Sequence, residues 1–302
     1  MMQPASRRRR FARPGGWFPL LIVAPGLLGG CNTLKLGRPT DDSTATVAST
    51  PATPPGKYAV RVSQYVFYSD FPVKQDLPLF RELAEMRDQI YKELQLPQAN
   101  TVVQVFLFED EERYQRYMRA RYPDLIKRRA FFIAQPRTRG GVDELLVFAF
   151  WGDHVRQDLR HELTHGLLHS VLKDVPLWLD EGLAEFFELP PERNGINAQH
   201  LEQLRHGSFQ PDMARLEQLS QVQHMERAEY REAWAWVHLM LRDKPEARAV
   251  LLNYLQLLRA NPAPGSLLAK LREVYPSPNE ALAEHLAQID SERPANPVAA
   301  RQ

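Results

Sequence analysis

The chain has 302 residues, 44% hydrophobic and 25% charged, with a formal net charge of +1. That composition is ordinary for a folded domain and excludes collagenous, coiled-coil and wholly disordered chains. Arg7, Arg8, Arg9, Arg10 and Arg13 stand before residue 31 with no acid among them. The remainder is therefore slightly acidic and gives no global argument for nucleic-acid binding.

Residues 1–30 combine that arginine run with an apolar stretch from Trp17 to Leu28 and the ending Leu28-Gly29-Gly30-Cys31. These are the n-region, h-region and small-residue cleavage site of a secretory signal. The apolar stretch, broken by Pro19 and Pro25, is too short to span a bilayer as a helix. Its ending resembles the lipobox of bacterial lipoproteins, in which the cysteine becomes the lipidated first residue. Cys31 is the only cysteine in the chain, so no intramolecular disulfide can form. The resemblance implies a membrane contact through a lipid on Cys31 and a domain facing the periplasm. Asn32 is not the Asp typical of inner-membrane retention, which favours the outer membrane.

Residues 31–56 are Thr, Ser, Pro and Ala with few large apolar side chains, the composition of a flexible tether. From there the pattern predicts a strand over 60–68, a helix over 79–94, a strand over 102–108 and a charged helix over 110–121. Two further strands follow at 130–134 and 144–150, joined by turn residues 136–141. The period then becomes helical over 155–172, and a second helix runs from about Pro176 to just before Pro190-Pro191. Helical patterns continue at 214–219, 227–241, 245–259 and 278–289. This order predicts an α+β fold: a small mixed sheet with a two-helix site in a core at 57–189, then an all-helical subdomain at 190–291 and a flexible tail at 292–302.

His161-Glu162-Leu163-Thr164-His165 is an H-E-x-x-H motif on the first of those two helices. Residues four apart share a helix face, so both imidazoles can reach one zinc ion. Glu162 lies about 100° around the helix and can address a water at the metal instead of the metal. A catalytic zinc takes three protein ligands. The metzincin pattern fails, because its Gly and third His positions hold Leu168 and Val171. His169 follows His165 by four residues, but one straight helix rarely brings a third turn to the same ion; it reads as a surface histidine or one standing behind the ligands.

Downstream stands Trp178-Leu179-Asp180-Glu181-Gly182-Leu183-Ala184-Glu185. H-E-x-x-H followed by a helix bearing E-G-x-A resembles the gluzincins, and in particular small bacterial peptidase-MA-like domains. The resemblance implies a zinc peptidase with His161, His165 and Glu181 as ligands and Glu162 as general base. It also implies a carboxylate at Glu185 that orients a ligating histidine, although Glu185 and Glu188 read equally as a solvated helix face. Asp180 departs from the Asn or Ser of some relatives and receives no role. The resemblance further places a Tyr or His near the substrate oxyanion. Tyr230 and His238 are the candidates, and a neutral phenol, which can donate to an oxyanion, favours Tyr230.

The expected function is a zinc metallopeptidase acting on peptide or protein substrates in the bacterial envelope. A zinc amidohydrolase acting on a cell-wall component, and a catalytically silent scaffold, are the alternatives. The likeness also makes 144–150 the expected edge strand for an extended peptide. The basic run from Arg113 to Arg139 reads either as a solvated face or as a surface for anionic groups. No signal for oligomeric state is present.

Overall fold

The computed structural model describes residues 53–136, 143–172, 174–206 and 208–290. The leader with Cys31, most of the tether, turn residues 137–141 with Arg137 and Arg139, Lys173 and the tail lie outside the described residues. Among the described residues no helix is long and apolar enough to cross a membrane.

The architecture is α+β, a five-stranded mixed sheet with helices on both faces and a helical continuation. Strands β1 (Tyr58–Val62) and β2 (Tyr65–Ser69) form a hairpin where the pattern predicts one strand. The turn needs a positive φ, supplied by Ser63 at 54°, and no Gly or Asn marks the place in the sequence. Helix α1 (Pro78–Glu93) crosses over to β3 (Val103–Phe108), which runs parallel to β2. Helix α2 (Glu111–Arg121) leads to β4 (Ala130–Gln135) and β5 (Glu144–Phe150).

Strand order is β1-β2-β3-β5-β4. This corrects the expectation that 144–150 is the edge: β5 is internal, parallel to β3 and antiparallel to β4, and β4 is the edge. The uninterrupted apolar run Leu145–Ala149 is buried on both faces, as an internal strand requires. Alternation sorts the side chains. Val103, Val105, Leu107 and Val147 point toward α1 and α3 (Val155–His169), while Phe108, Leu146 and Phe148 join Tyr114, Tyr117 and Met118 of α2 on the other face.

Helix α4 (Leu177–Phe187) is buried at every position except Glu185. A helix apolar nearly all round belongs inside, and α4 lies between α3 and α7 (Arg227–Arg242). One apolar cluster runs from the sheet through these helices to α8 (Pro245–Ala260). Helix α5 (Ala198–His206) and the short α6 (Met213–Leu216), α9 (Leu267–Leu271) and α10 (Pro278–Gln288) complete the helical part. The pattern reading lacks α5 and α9, whose apolar positions are too few to set a period.

Gly182 sets the distance between α4 and α7. A Cβ there would stand 2.6 Å from the Ala233 carbonyl oxygen and 2.9 Å from Val237 Cγ2. The obstacle is backbone, so it cannot turn aside. Gly182→Ala is therefore expected to destabilise the fold by the roughly 1–3 kcal/mol typical of overpacking and to weaken metal binding by displacing the adjacent Glu181. Thermal unfolding and a metal titration measure the two effects, and an unchanged midpoint would contradict the close helix contact.

Candidate metal centre

Helix α3 presents His161 and His165 on one face, with ring centroids 5.1 Å apart and planes at 73°. Helix α4 returns antiparallel and brings Glu181 to them. Glu181 Oε2 lies 3.4 Å from His161 Nε2 and 3.6 Å from His165 Nε2. The donor atoms of these three residues lie within 4.8 Å of one another, so the group could hold a metal ion. Glu181 Oε2 is buried without a hydrogen-bond partner among the described residues. Its other oxygen takes a long hydrogen bond, 3.4 Å, from the Tyr230 hydroxyl. An orphaned buried carboxylate oxygen facing two imidazole nitrogens fits a cation at their centre.

Arg160, next to the motif, holds this geometry. Its buried guanidinium donates to the carbonyls of Phe187, Glu188 and Leu189 at 2.6–2.9 Å, satisfying the open C-terminal end of α4 and tying it to α3. At the sheet, a Cβ on Gly166 would stand 3.0 Å from Val103 Cγ1, so α3 packs closely against β3.

The imidazoles are oriented by carboxylates other than Glu185. His161 Nδ1 pairs with Glu188 Oε2 at 3.0 Å, and Gln157 donates to the other Glu188 oxygen at 2.7 Å. His165 Nδ1 stands 3.0 Å from Asp180 Oδ2, at an angle oblique for a hydrogen bond, and the same oxygen contacts His169 Nε2 at 3.1 Å. Phe132 of β4 stacks against His165 and His169. Glu185 makes its hydrogen bond to His200 of α5 at 2.9 Å, although its carboxylate also stands within 4.8 Å of a His161 ring nitrogen and of Glu188. His169 is 3% exposed and stands behind the ligands, not on the surface.

Electrostatics follow from burial. Burial opposes charge on both imidazoles, yet Glu181 and Glu188 hold His161 well above the histidine range, and Asp180 with Glu181 raises His165 to about 10. Against the same burial, these contacts draw Glu181 and Asp180 far below the carboxylate range. Protons and a metal ion compete for the same nitrogens. Glu162 is different. Burial raises its carboxyl, with His161 and His165 pulling the other way, and it opens onto the cleft.

Tyr230 lies at the site and His238 does not. The Tyr230 hydroxyl accepts a 2.7 Å hydrogen bond from Arg128 Nη2, and burial together with Glu181 keeps the phenol protonated. His238 is buried against His285 at 2.8 Å, with Phe186 and Trp234 around it. Among the described residues of the basic run, Arg128 and Arg129 reach the cleft; Arg113, Arg116 and Lys127 pair with nearby carboxylates. From the sequence, Asp180 receives no role, Glu188 reads as a solvated helix face, Arg128 reads only as part of the basic run, and Arg160 is not singled out. One signal for Asp180 existed: an acid on a helix otherwise buried all round must find a cationic partner.

Residues 157–262 match the model of a family described only as a protein of unknown function, DUF1570. The matched segment starts within α3 and ends beyond α8, so it contains both candidate metal helices and Tyr230. No curated protein matches the chain.

Asp180→Asn and Glu188→Gln are each expected to weaken metal binding by about 10–100-fold, the usual loss when a partner of a ligating histidine is removed. Glu185→Gln should leave it nearly unchanged. Competition titration of zinc against a chelator measures all three, and equal losses for Glu185 and Glu188 variants would contradict the assignment.

Proposed function

We propose that the chain is a zinc-dependent hydrolase of peptide bonds, lipid-anchored on the periplasmic side of a bacterial envelope. The observation that carries this reading is the convergence of His161, His165 and the orphaned Glu181 oxygen beside a cleft-facing Glu162. Zinc bonds of about 2.0–2.2 Å in tetrahedral geometry would put neighbouring ligand atoms about 3.3–3.6 Å apart. The distances of 3.4 and 3.6 Å from Glu181 to the histidines support that ion. Two imidazoles and one carboxylate are also the ligand set of hydrolytic zinc sites that keep a fourth position open.

Zinc held there supplies a lowered water pKa and polarisation of the scissile carbonyl. Glu162 takes the proton of the attacking water and returns it to the leaving amine. Its raised pKa brings it nearer the operating range of a general base. Tyr230, kept protonated, donates to the developing oxyanion, and the Arg128 cation at its hydroxyl adds favourable potential. Edge strand β4 offers the unpaired backbone for an extended substrate, and its Ala130 lines the cleft.

Glu162→Gln removes the proton acceptor while keeping shape. Zinc content and folding should persist, and turnover of a peptide found by library screening should fall by about 10²–10⁴-fold. Retention of wild-type turnover refutes the mechanism. Zinc binding by the parent protein without cleavage of any peptide in a broad screen favours the amidohydrolase or scaffold alternatives.

The localisation half of the proposal rests on the leader and Cys31. Cys31→Ser should abolish incorporation of a labelled fatty acid in cells. Undiminished labelling overturns the lipid anchor and leaves the metal site untouched.

A further inference from the structure

The cleft beside the metal centre has a volume of about 620 Å³, and most of the residues that line it are polar or charged. Ala130 is the only aliphatic side chain among its described lining residues, beside the ring of Tyr230. Gln157, Gln199, Gln203 and Asn197 line it with neutral amides. The carboxylates of the cleft are engaged or reserved: Glu185 by His200, Glu188 by His161, Asp158 by Arg129, and Glu162 at the catalytic position.

Two cations of the wall are not engaged. Arg227 and Arg231 project from α7, one helical turn apart, on the stripe that also carries Tyr230. No described residue makes an ion pair or side-chain hydrogen bond with either guanidinium. The nearby acids are used elsewhere: Glu229 and Glu232 both bind Arg215, and Glu226 and Glu229 form the capping box of α7. The placement is unfavourable in the unliganded protein. Like charges at i and i+4 repel, and Arg227 is the first residue of the helix, where the macrodipole disfavours a cation. An anion lying between the two guanidiniums relieves both penalties.

We propose that Arg227 and Arg231 bind a carboxylate of the substrate, so that the cleft selects acidic peptides over their neutral counterparts. This inference rests on the hydrolytic reading of the metal centre. The carboxylate has two sources, an Asp or Glu side chain or the C-terminus of the peptide. Both present the same planar pair of oxygens to an arginine fork.

The test uses zinc-loaded protein and a set of tripeptide hydroxamates, in which the hydroxamate is the metal-binding group. Members of the set carry Asp or Asn at each position, with a free or amidated C-terminus. Calorimetry gives the affinity of each. The expected result is at least about tenfold tighter binding of one acid over its matched amide; which pair shows it identifies the source. In the double variant Arg227→Gln, Arg231→Gln that preference should vanish, while the amide form binds as before and zinc content and unfolding midpoint are unchanged. Equal affinity for every acid and amide pair in the parent protein overturns the inference while leaving the metal-centre reading in place. So does a preference that survives in the double variant. If no hydroxamate binds the zinc-loaded protein at all, the hydrolytic reading fails and takes this inference with it.

Discussion

Helix α4 carries Asp180 and Glu181 into an interior where water cannot solvate them, and much of the surrounding structure answers that placement. An isolated buried carboxylate is costly enough that it must be neutralised, paired or bound to a cation. Here each faces imidazoles of α3: Glu181 lies between His161 and His165, and Asp180 touches His165 and His169. Glu188 adds a third acid on His161. The cluster carries three acids around these histidines, and its His161, His165 and Glu181 donor atoms stand close enough together that they could hold a metal ion. Removing one partner from such a group leaves the other unpaired, with losses of about 3–5 kcal/mol for buried pairs.

Precision at this cluster comes from contacts that carry no metal chemistry. Arg160 ties the C-terminal carbonyls of α4 to α3, and Gly182 lets α4 approach α7 to a distance no side chain would permit. Phe132 of the edge strand fixes the planes of His165 and His169. The cleft is thus bounded by the start of the edge strand β4, by α3 and α4 clamped together, and by α5 and α7. Most of the residues lining it are polar or charged.

The histidines show how one side chain type takes opposite electrostatic character within one chain. His165 is raised because its neighbours are carboxylates, which outweigh its burial. His238 is equally buried, but burial, the His285 ring and Arg242 all push it well below the ordinary range. His238 is therefore a neutral member of the helical core, hydrogen-bonded to His285, which in turn faces Asp243. Burial lowers both; carboxylate partners override it at His165, and among the described residues no carboxylate does so at His238.

Much of this was legible from residue order. The helical period from Val155, the i, i+4 spacing of His161 and His165, and a second helix bearing Glu181 are local patterns, and local patterns survive in one dimension. The α+β class was legible for the same reason, since strand alternation and helical period differ over a few residues. Strand order was not. The apolar runs of β4 and β5 are nearly alike, and only pairing with β3 makes one internal and the other the edge. Nor could sequence choose between Glu185 and Glu188 for His161, because that depends on the rotation of α4 about its axis, set by Gly182 against Ala233 and by the Arg160 clamp. Residue order determined which chemistry was present; the tertiary packing decided which side chains meet, because contacts between helices depend on angles and distances that no spacing along one chain specifies.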